Sequence, residues 1–178
     1  LTSDILADCK NLKVIGRAGV GVDNVDLDQA TKNRILVMNT PLGNLEATAE
    51  LSVGLMFSIM RNIHLANDST HQGKWEKPKF LGTELKGKVL GIVGYGNIGQ
   101  RVAEICSTIG MKIITNSKSA SDDDLSKFNV KKVSIEDLIK EADIISLHTK
   151  LNDETKYMIN KETLSKMKST SVIINCAR

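Results

Sequence analysis

The feature that most constrains this chain is the run Gly94-Tyr-Gly-Asn-Ile-Gly99. It lies between an apolar stretch, Val89 to Val93, and a segment in which Ile98, Val102, Ile105 and Ile109 recur on one helical face. Each glycine in that spacing has a mechanical task. Gly94 permits a tight turn, Gly96 lets backbone approach an anion closely, and Gly99 lets a helix pack against the strand. The amides of Asn97 and Ile98, at the start of that helix, lack carbonyl partners in the chain and point toward the anion, which the helix dipole also favours. The anion that suits this geometry is the diphosphate of a dinucleotide.

The rest of the chain supplies the frame such a turn needs. After Leu85, segments that read as strands at 89–93, 111–115, 130–133 (a short one), 143–147 and 171–175 alternate with helix patterns after Gly96, Ser121, Ser134 and Asn160. Strands alternating with helices of this length imply an α/β fold, a Rossmann-like doubly wound parallel sheet covered on both faces. Before Leu85 the rhythm differs. Asn11 to Gly16 and Ile35 to Met38 read as strands, joined by the glycine-punctuated turn 18–23 and a short helix that Asp26 can cap. Asn39-Thr-Pro-Leu-Gly-Asn44 then breaks the pattern, and Asn44 can cap a long helix whose apolar stripe runs Ala49, Val53, Met56, Met60, Ile63.

Composition excludes several other classes. With 178 residues, 41% apolar and 25% charged, the chain is neither disordered nor too small for a core. Its longest nearly apolar run, Leu51 to Met60, falls well short of the ~20 residues a bilayer needs, so no membrane partner is expected. A net charge of +3 without a dense basic block, and only 3% aromatic residues, argue against nucleic acid. Cys9, Cys106 and Cys176 are far apart and odd in number, which suits a reducing, cytoplasmic setting. His64 and His71, without a third ligand, make no metal site. The opening at Leu1 and the end at Arg178, directly after an apolar run, suggest an internal piece of a longer polypeptide.

The second strand of a dinucleotide fold should end in an acid that accepts hydrogen bonds from the adenosine ribose. Here Ser117 occupies that position and Lys118 follows it. Ser117 can bond a ribose hydroxyl, and Lys118 either meets a 2′-phosphate or is a solvated loop lysine. This local chemistry leans toward NADP or toward loose selectivity; NAD is kept as the expected cofactor, with NADP left open because serine replaces the usual acid.

With these pieces placed, the flanks resemble the D-2-hydroxyacid dehydrogenases, and their phosphoglycerate-oxidising branch in particular. The matching stretches are 16–26 (GRAGVGVDNVD), 37–41 (VMNTP) with Gly43-Asn44, Ala49-Glu50-Leu51, Gly73-Lys-Trp-Glu76, Gly82-Thr-Glu-Leu85 and Ile174-Asn-Cys-Ala-Arg178. The resemblance implies that residues 1–43 end a second, flavodoxin-like substrate domain and that residues 44–178 form most of an NAD(P)-binding domain. It implies hydride exchange between a nicotinamide and a small D-2-hydroxy acid, with 3-phosphoglycerate, the entry substrate of serine biosynthesis, expected first. Glyoxylate or hydroxypyruvate reduction, or a dinucleotide-sensing module without chemistry, are the alternatives.

By the same resemblance, the amides of Gly19, Val20 and Gly21 hold the substrate carboxylate, and Arg17 meets a substrate phosphate. Asn44 and Val20 lie beside the cofactor, and Thr149, Cys176 and Ala177 line the nicotinamide pocket. Arg178 is the catalytic arginine, whose planar guanidinium suits a bidentate grip on carboxylate and carbonyl. His148, at the end of a strand, either touches cofactor or simply packs; Cys176 reads as a small filler and not a nucleophile. Lys150 stands where the family usually has proline. The base histidine and its glutamate are assigned beyond Arg178, so these 178 residues alone are expected not to turn over. A homodimer through the long helix is implied, since Leu51, Leu55 and Phe57 fall outside its main stripe.

Overall fold

The computed structural model describes residues 1–177 and divides into two compact units, Leu1–Leu45 and Glu46 onward. In the first, α1 (Ser3–Ala7), β1 (Val14–Arg17), α2 (Leu27–Lys32) and β2 (Leu36–Asn39) follow one another, and β1 pairs in parallel with β2. Asp26 caps α2 by accepting the Gln29 amide at 2.8 Å. Leu6, Val25, Ala30 and Ile35 are the buried centre of this unit. The first strand begins three residues later than its apolar pattern suggests, because the Leu12 amide turns back to the Cys9 carbonyl.

The second unit opens with α3 (Leu45–Met60) and α4 (Ile63–His71), followed by a short 3-10 turn at Lys77–Phe80. The apolar stripe expected to run unbroken to Ile63 is interrupted. Asn62 takes a left-handed conformation (φ 54°), and Ile63 beyond it is 51% exposed. The break is held by the following loop, where Thr83 donates its amide to the Met60 carbonyl and the Asn62 side chain donates to the Leu81 carbonyl. Phe57, expected on the outer face, packs instead against the core, while Leu51 and Leu55 stay exposed. The polar stretch from Asp68 is still helical as far as His71.

Beyond this lie β3 (Val89–Val93), α5 (Asn97–Thr108), β4 (Lys112–Thr115), α6 (Asp122–Ser126), β5 (Lys131–Lys132), α7 (Ile135–Glu141), β6 (Ile144–Leu147), α8 (Lys161–Lys166) and β7 (Val172–Asn175). The strands form one parallel sheet in the order β5-β4-β3-β6-β7. The short strand expected over 130–133 contributes only two residues, both lysines at the sheet edge, where charge discourages pairing with another chain.

The chain passes from β3 to β4 on one side and returns to β6 on the other, a doubly wound order. Its strands are apolar almost throughout because both faces are covered. Leu90, Ile92, Ile113, Ile144 and Ile174 pack with Val53, Met56, Val102 and Cys106 on one side. Val93, Ile114 and Ile145 meet Leu138, Ile139 and Ala142 of α7 on the other. At Gly91 a side chain would lie 2.7 Å from Leu138, so glycine there sets how closely α7 sits on the sheet. At the amino end, Asp143 accepts the Val89 amide at 2.8 Å and the Lys168 ammonium at 2.8 Å, tying the start of β3 to the segment between α8 and β7. No helix among the described residues is long and apolar enough to cross a membrane.

Candidate cofactor site

In a doubly wound sheet, ligands bind at the carboxyl ends of the strands where the winding reverses, which here is the end of β3. The glycine turn sits at that point. Gly94 has φ 92°, and a side chain on it would lie 2.7 Å from the His148 carbonyl group at the end of β6. At Gly99 a side chain would lie 2.2 Å from the Gly94 carbonyl oxygen, so the first turn of α5 presses directly on the loop.

Gly96 is different in kind. A side chain there would meet no atom of the described residues within 4 Å. Its φ of −81° and ψ of −166° are extended and open to any residue, so the fold itself does not require glycine. The free space lies beside the N-terminus of a helix of 12 residues that has no side-chain cap among the described residues. The first amide to find a helical carbonyl is that of Gln100, to Gly96 at 2.9 Å. The amides of Asn97, Ile98 and Gly99 are thus those every helix leaves open at its start. An uncapped helix beginning beside an empty approach fits a diphosphate.

The other candidates in this unit gather along the same carboxyl edge. Ser117, at the end of β4, is buried, its amide reaching the Thr115 hydroxyl and its own hydroxyl that of Ser119, each at 3.4 Å. Thr115 in turn donates to the Ile92 carbonyl at 2.8 Å, which fixes this strand end against β3. Lys118 is exposed and pairs at 2.9 Å with Glu154, from the loop after β6.

His148 donates its backbone amide to Val93, and its Nε2 lies 2.8 Å from the Ser146 hydroxyl. Burial pushes its imidazole down to about 4, so at neutral pH the ring is uncharged. The ring is engaged with its own strand, and it is the His148 backbone that lies against the glycine turn from the side of β6.

A cavity of about 240 Å³ opens beside the ends of β6 and β7, lined by Leu147, Thr149, Lys150, Tyr157, Asn175 and Ala177 among others. Thr149 and Ala177 therefore share a pocket. Cys176, just past β7, is half-buried against the core cluster that contains Ile174. Sequence reasoning missed the far wall. Its signal was the Asn152-x-x-Thr155 spacing: each residue's side chain bonds the other's amide at 2.9 Å, closing the loop that carries Tyr157, which sits at φ 58°.

In the first unit, Arg17 folds over its own turn. Its Nε donates to Asn24 Oδ1 at 3.1 Å and its Nη1 to the Ala18 carbonyl at 3.2 Å. A side chain at Gly19 would collide with that guanidinium at 1.7 Å. The Gly19 amide is used within the loop, on the Arg17 carbonyl, and the carbonyls of Gly19 and Val20 are taken by the Thr40 amide and the Asn39 side chain. Among the described residues this leaves the amides of Val20 and Gly21 without a carbonyl partner, beside a cation. Asn44 is exposed in the turn before α3. Arg178 lies outside the described residues. Among the described residues, no group of three His, Cys, Asp or Glu side chains is arranged to hold a metal.

Comparison with known proteins gives this site its family. The D-isomer specific 2-hydroxyacid dehydrogenase NAD-binding domain matches residues 53–178. A hydroxypyruvate reductase of Thermotoga maritima is 45% identical over the whole chain, which spans 57% of that protein. A D-3-phosphoglycerate dehydrogenase of Bacillus subtilis is 42% identical, again over the whole chain, which spans 34% of it. Among solved structures, the D-lactate dehydrogenase of Aquifex aeolicus, determined with NAD and lactic acid, superposes with a TM-score of 0.89 at 34% identity, covering all of this chain and 54% of that one. The chain thus spans about half or less of the proteins it matches. It belongs to the D-isomer specific 2-hydroxyacid dehydrogenases, through their NAD-binding domain.

Proposed function

We propose that the protein containing this chain is an NAD-dependent oxidoreductase that interconverts 3-phosphoglycerate and its 2-oxo acid. The observation that carries the cofactor half is Gly96, a glycine the fold does not need, beside an uncapped helix start. A nicotinamide dinucleotide, when bound, supplies the ring that exchanges a hydride with C2 of the substrate. What this chain contributes is position. The amides of Asn97 and Ile98 hold the diphosphate and the pocket of Thr149 and Ala177 receives the nicotinamide end. The backbone of His148 packs beside Gly94 of the turn. Arg178 grips the substrate carboxylate and carbonyl by the resemblance given above.

The substrate half rests on Arg17 in a first unit read as the end of the substrate domain. The amides of Val20 and Gly21 suit a carboxylate, and the guanidinium next to them suits a second anionic group such as a phosphate. Hydroxypyruvate reduction is the second reading, supported by the Thermotoga relative. We place the protein in the cytoplasm as a homodimer through the exposed residues of α3.

The test is steady-state kinetics of the whole protein on 3-phosphoglycerate and, in the opposite direction, on hydroxypyruvate, with Arg17→Ala alongside. Losing a charge-assisted contact to the phosphate should lower kcat/KM for 3-phosphoglycerate about 100-fold and act far less on hydroxypyruvate. Equal losses on both substrates would refute the phosphate role, and no turnover of either would refute the reading.

A further inference from the structure

The loops after β4 and β6 rise on either side of the glycine turn, and one ion pair joins them. Lys118 Nζ lies 2.9 Å from Glu154 Oε2, across 36 residues of sequence, with both side chains largely exposed. Lys118 directly follows Ser117, the residue at the ribose-selecting position, and Ser117 is buried with its hydroxyl turned to Ser119. The exposed cation next to this position in the chain is Lys118, and it is already matched with a carboxylate.

We propose that Glu154 is a specificity-determining residue that sets the choice of NAD over NADP. This rests on the reading that the chain binds a nicotinamide dinucleotide. A 2′-phosphate brings two negative charges to the ribose and needs a free cation there. Glu154 holds that cation and sets its own carboxylate beside the incoming phosphate. The 2′-hydroxyl of NAD carries no charge and meets no such repulsion. Selection by this route needs no acid on β4 itself; it comes from the loop after β6.

Because the pair is solvated, its effect is moderate and falls with salt. Titration of the whole protein with NADH and with NADPH, followed by nicotinamide fluorescence, gives the affinity ratio. The wild type should favour NADH. Glu154→Gln should move the ratio about fivefold toward NADPH at low ionic strength and less at 0.5 M salt. Adding Lys118→Met to that variant should remove the gain. Glu154→Ala should repeat it, so the effect cannot be assigned to glutamine. A wild type that prefers NADPH, or a ratio left unchanged by Glu154→Gln, would overturn the inference while leaving dinucleotide binding intact. A wild type that binds neither coenzyme would overturn the dinucleotide reading together with it.

Discussion

Replacing Gly96 by alanine separates what the fold needs from what the ligand needs. The added methyl meets no atom of the described residues within 4 Å, and the backbone there already suits an L residue. The folded protein should be unchanged or firmer by about 0.4–1 kcal/mol, because alanine restricts the unfolded chain. The cost falls on the cofactor, since the methyl fills the space through which a diphosphate reaches the Asn97 and Ile98 amides. Losing one charge-assisted hydrogen bond, worth about 1.5–3 kcal/mol, weakens NADH binding roughly 10- to 150-fold.

Gly99→Ala provides the contrast. Its methyl would lie 2.2 Å from the Gly94 carbonyl oxygen, so backbone must move and stability should fall by about 1–3 kcal/mol or more. Urea unfolding and NADH titration of both variants form the assay. Gly96→Ala binding NADH like the wild type, or unfolding as early as Gly99→Ala, would refute the reasoning.

Three further predictions concern the frame. His148 is held neutral with its imidazole at about 4, whereas the free group titrates near 6.5. The unfolded chain therefore takes up a proton first, and stability falls as pH drops from about 6.5 toward 4. Between pH 6.5 and 5 the loss is at most about 2 kcal/mol, and His148→Asn should flatten that limb of the urea midpoint against pH. Burial raises the Asp143 carboxyl, but the Lys168 and Val89 hydrogen bonds and nearby lysine charge outweigh it and hold the group below its usual range. Its contribution should be complete above about pH 4 and lost only as pH falls through that lowered value, and Asp143→Asn should cost about 1.5–3 kcal/mol at pH 7 by chemical denaturation. The Tyr95 hydroxyl is buried without a hydrogen-bond partner among the described residues, so Tyr95→Phe should raise the thermal midpoint or leave it unchanged.

The alternation of strands and helices after Leu85 was legible because a sheet covered on both faces leaves a run of apolar residues in each strand but the edge strand β5. Ser121, Ser134 and Asn160 announce their helices by side-chain bonds that span only two or three residues. What pattern reading missed depends on contacts distant in sequence. The apolar stripe gives no hint that the helix breaks at Asn62, because the cause is a loop some 20 residues later that bonds to Met60 and Asn62. Lys118 reads from sequence as either a phosphate ligand or a solvated lysine; its partner Glu154 is 36 residues away and no local rule couples them. Cys176 and Ala177 are neighbours in sequence just past β7, yet Cys176 packs against the core cluster while Ala177 lines the cavity.

The claim on which the rest depends is that the open amides at the start of α5 bind the diphosphate of a nicotinamide dinucleotide. Isothermal calorimetry of the folded whole protein with NADH measures this directly. Saturable uptake of one NADH per chain, lost or sharply weakened in Gly96→Ala, is the result expected. Absence of saturable heat with NADH and with NADPH, from protein whose cooperative unfolding shows it to be native, would contradict it.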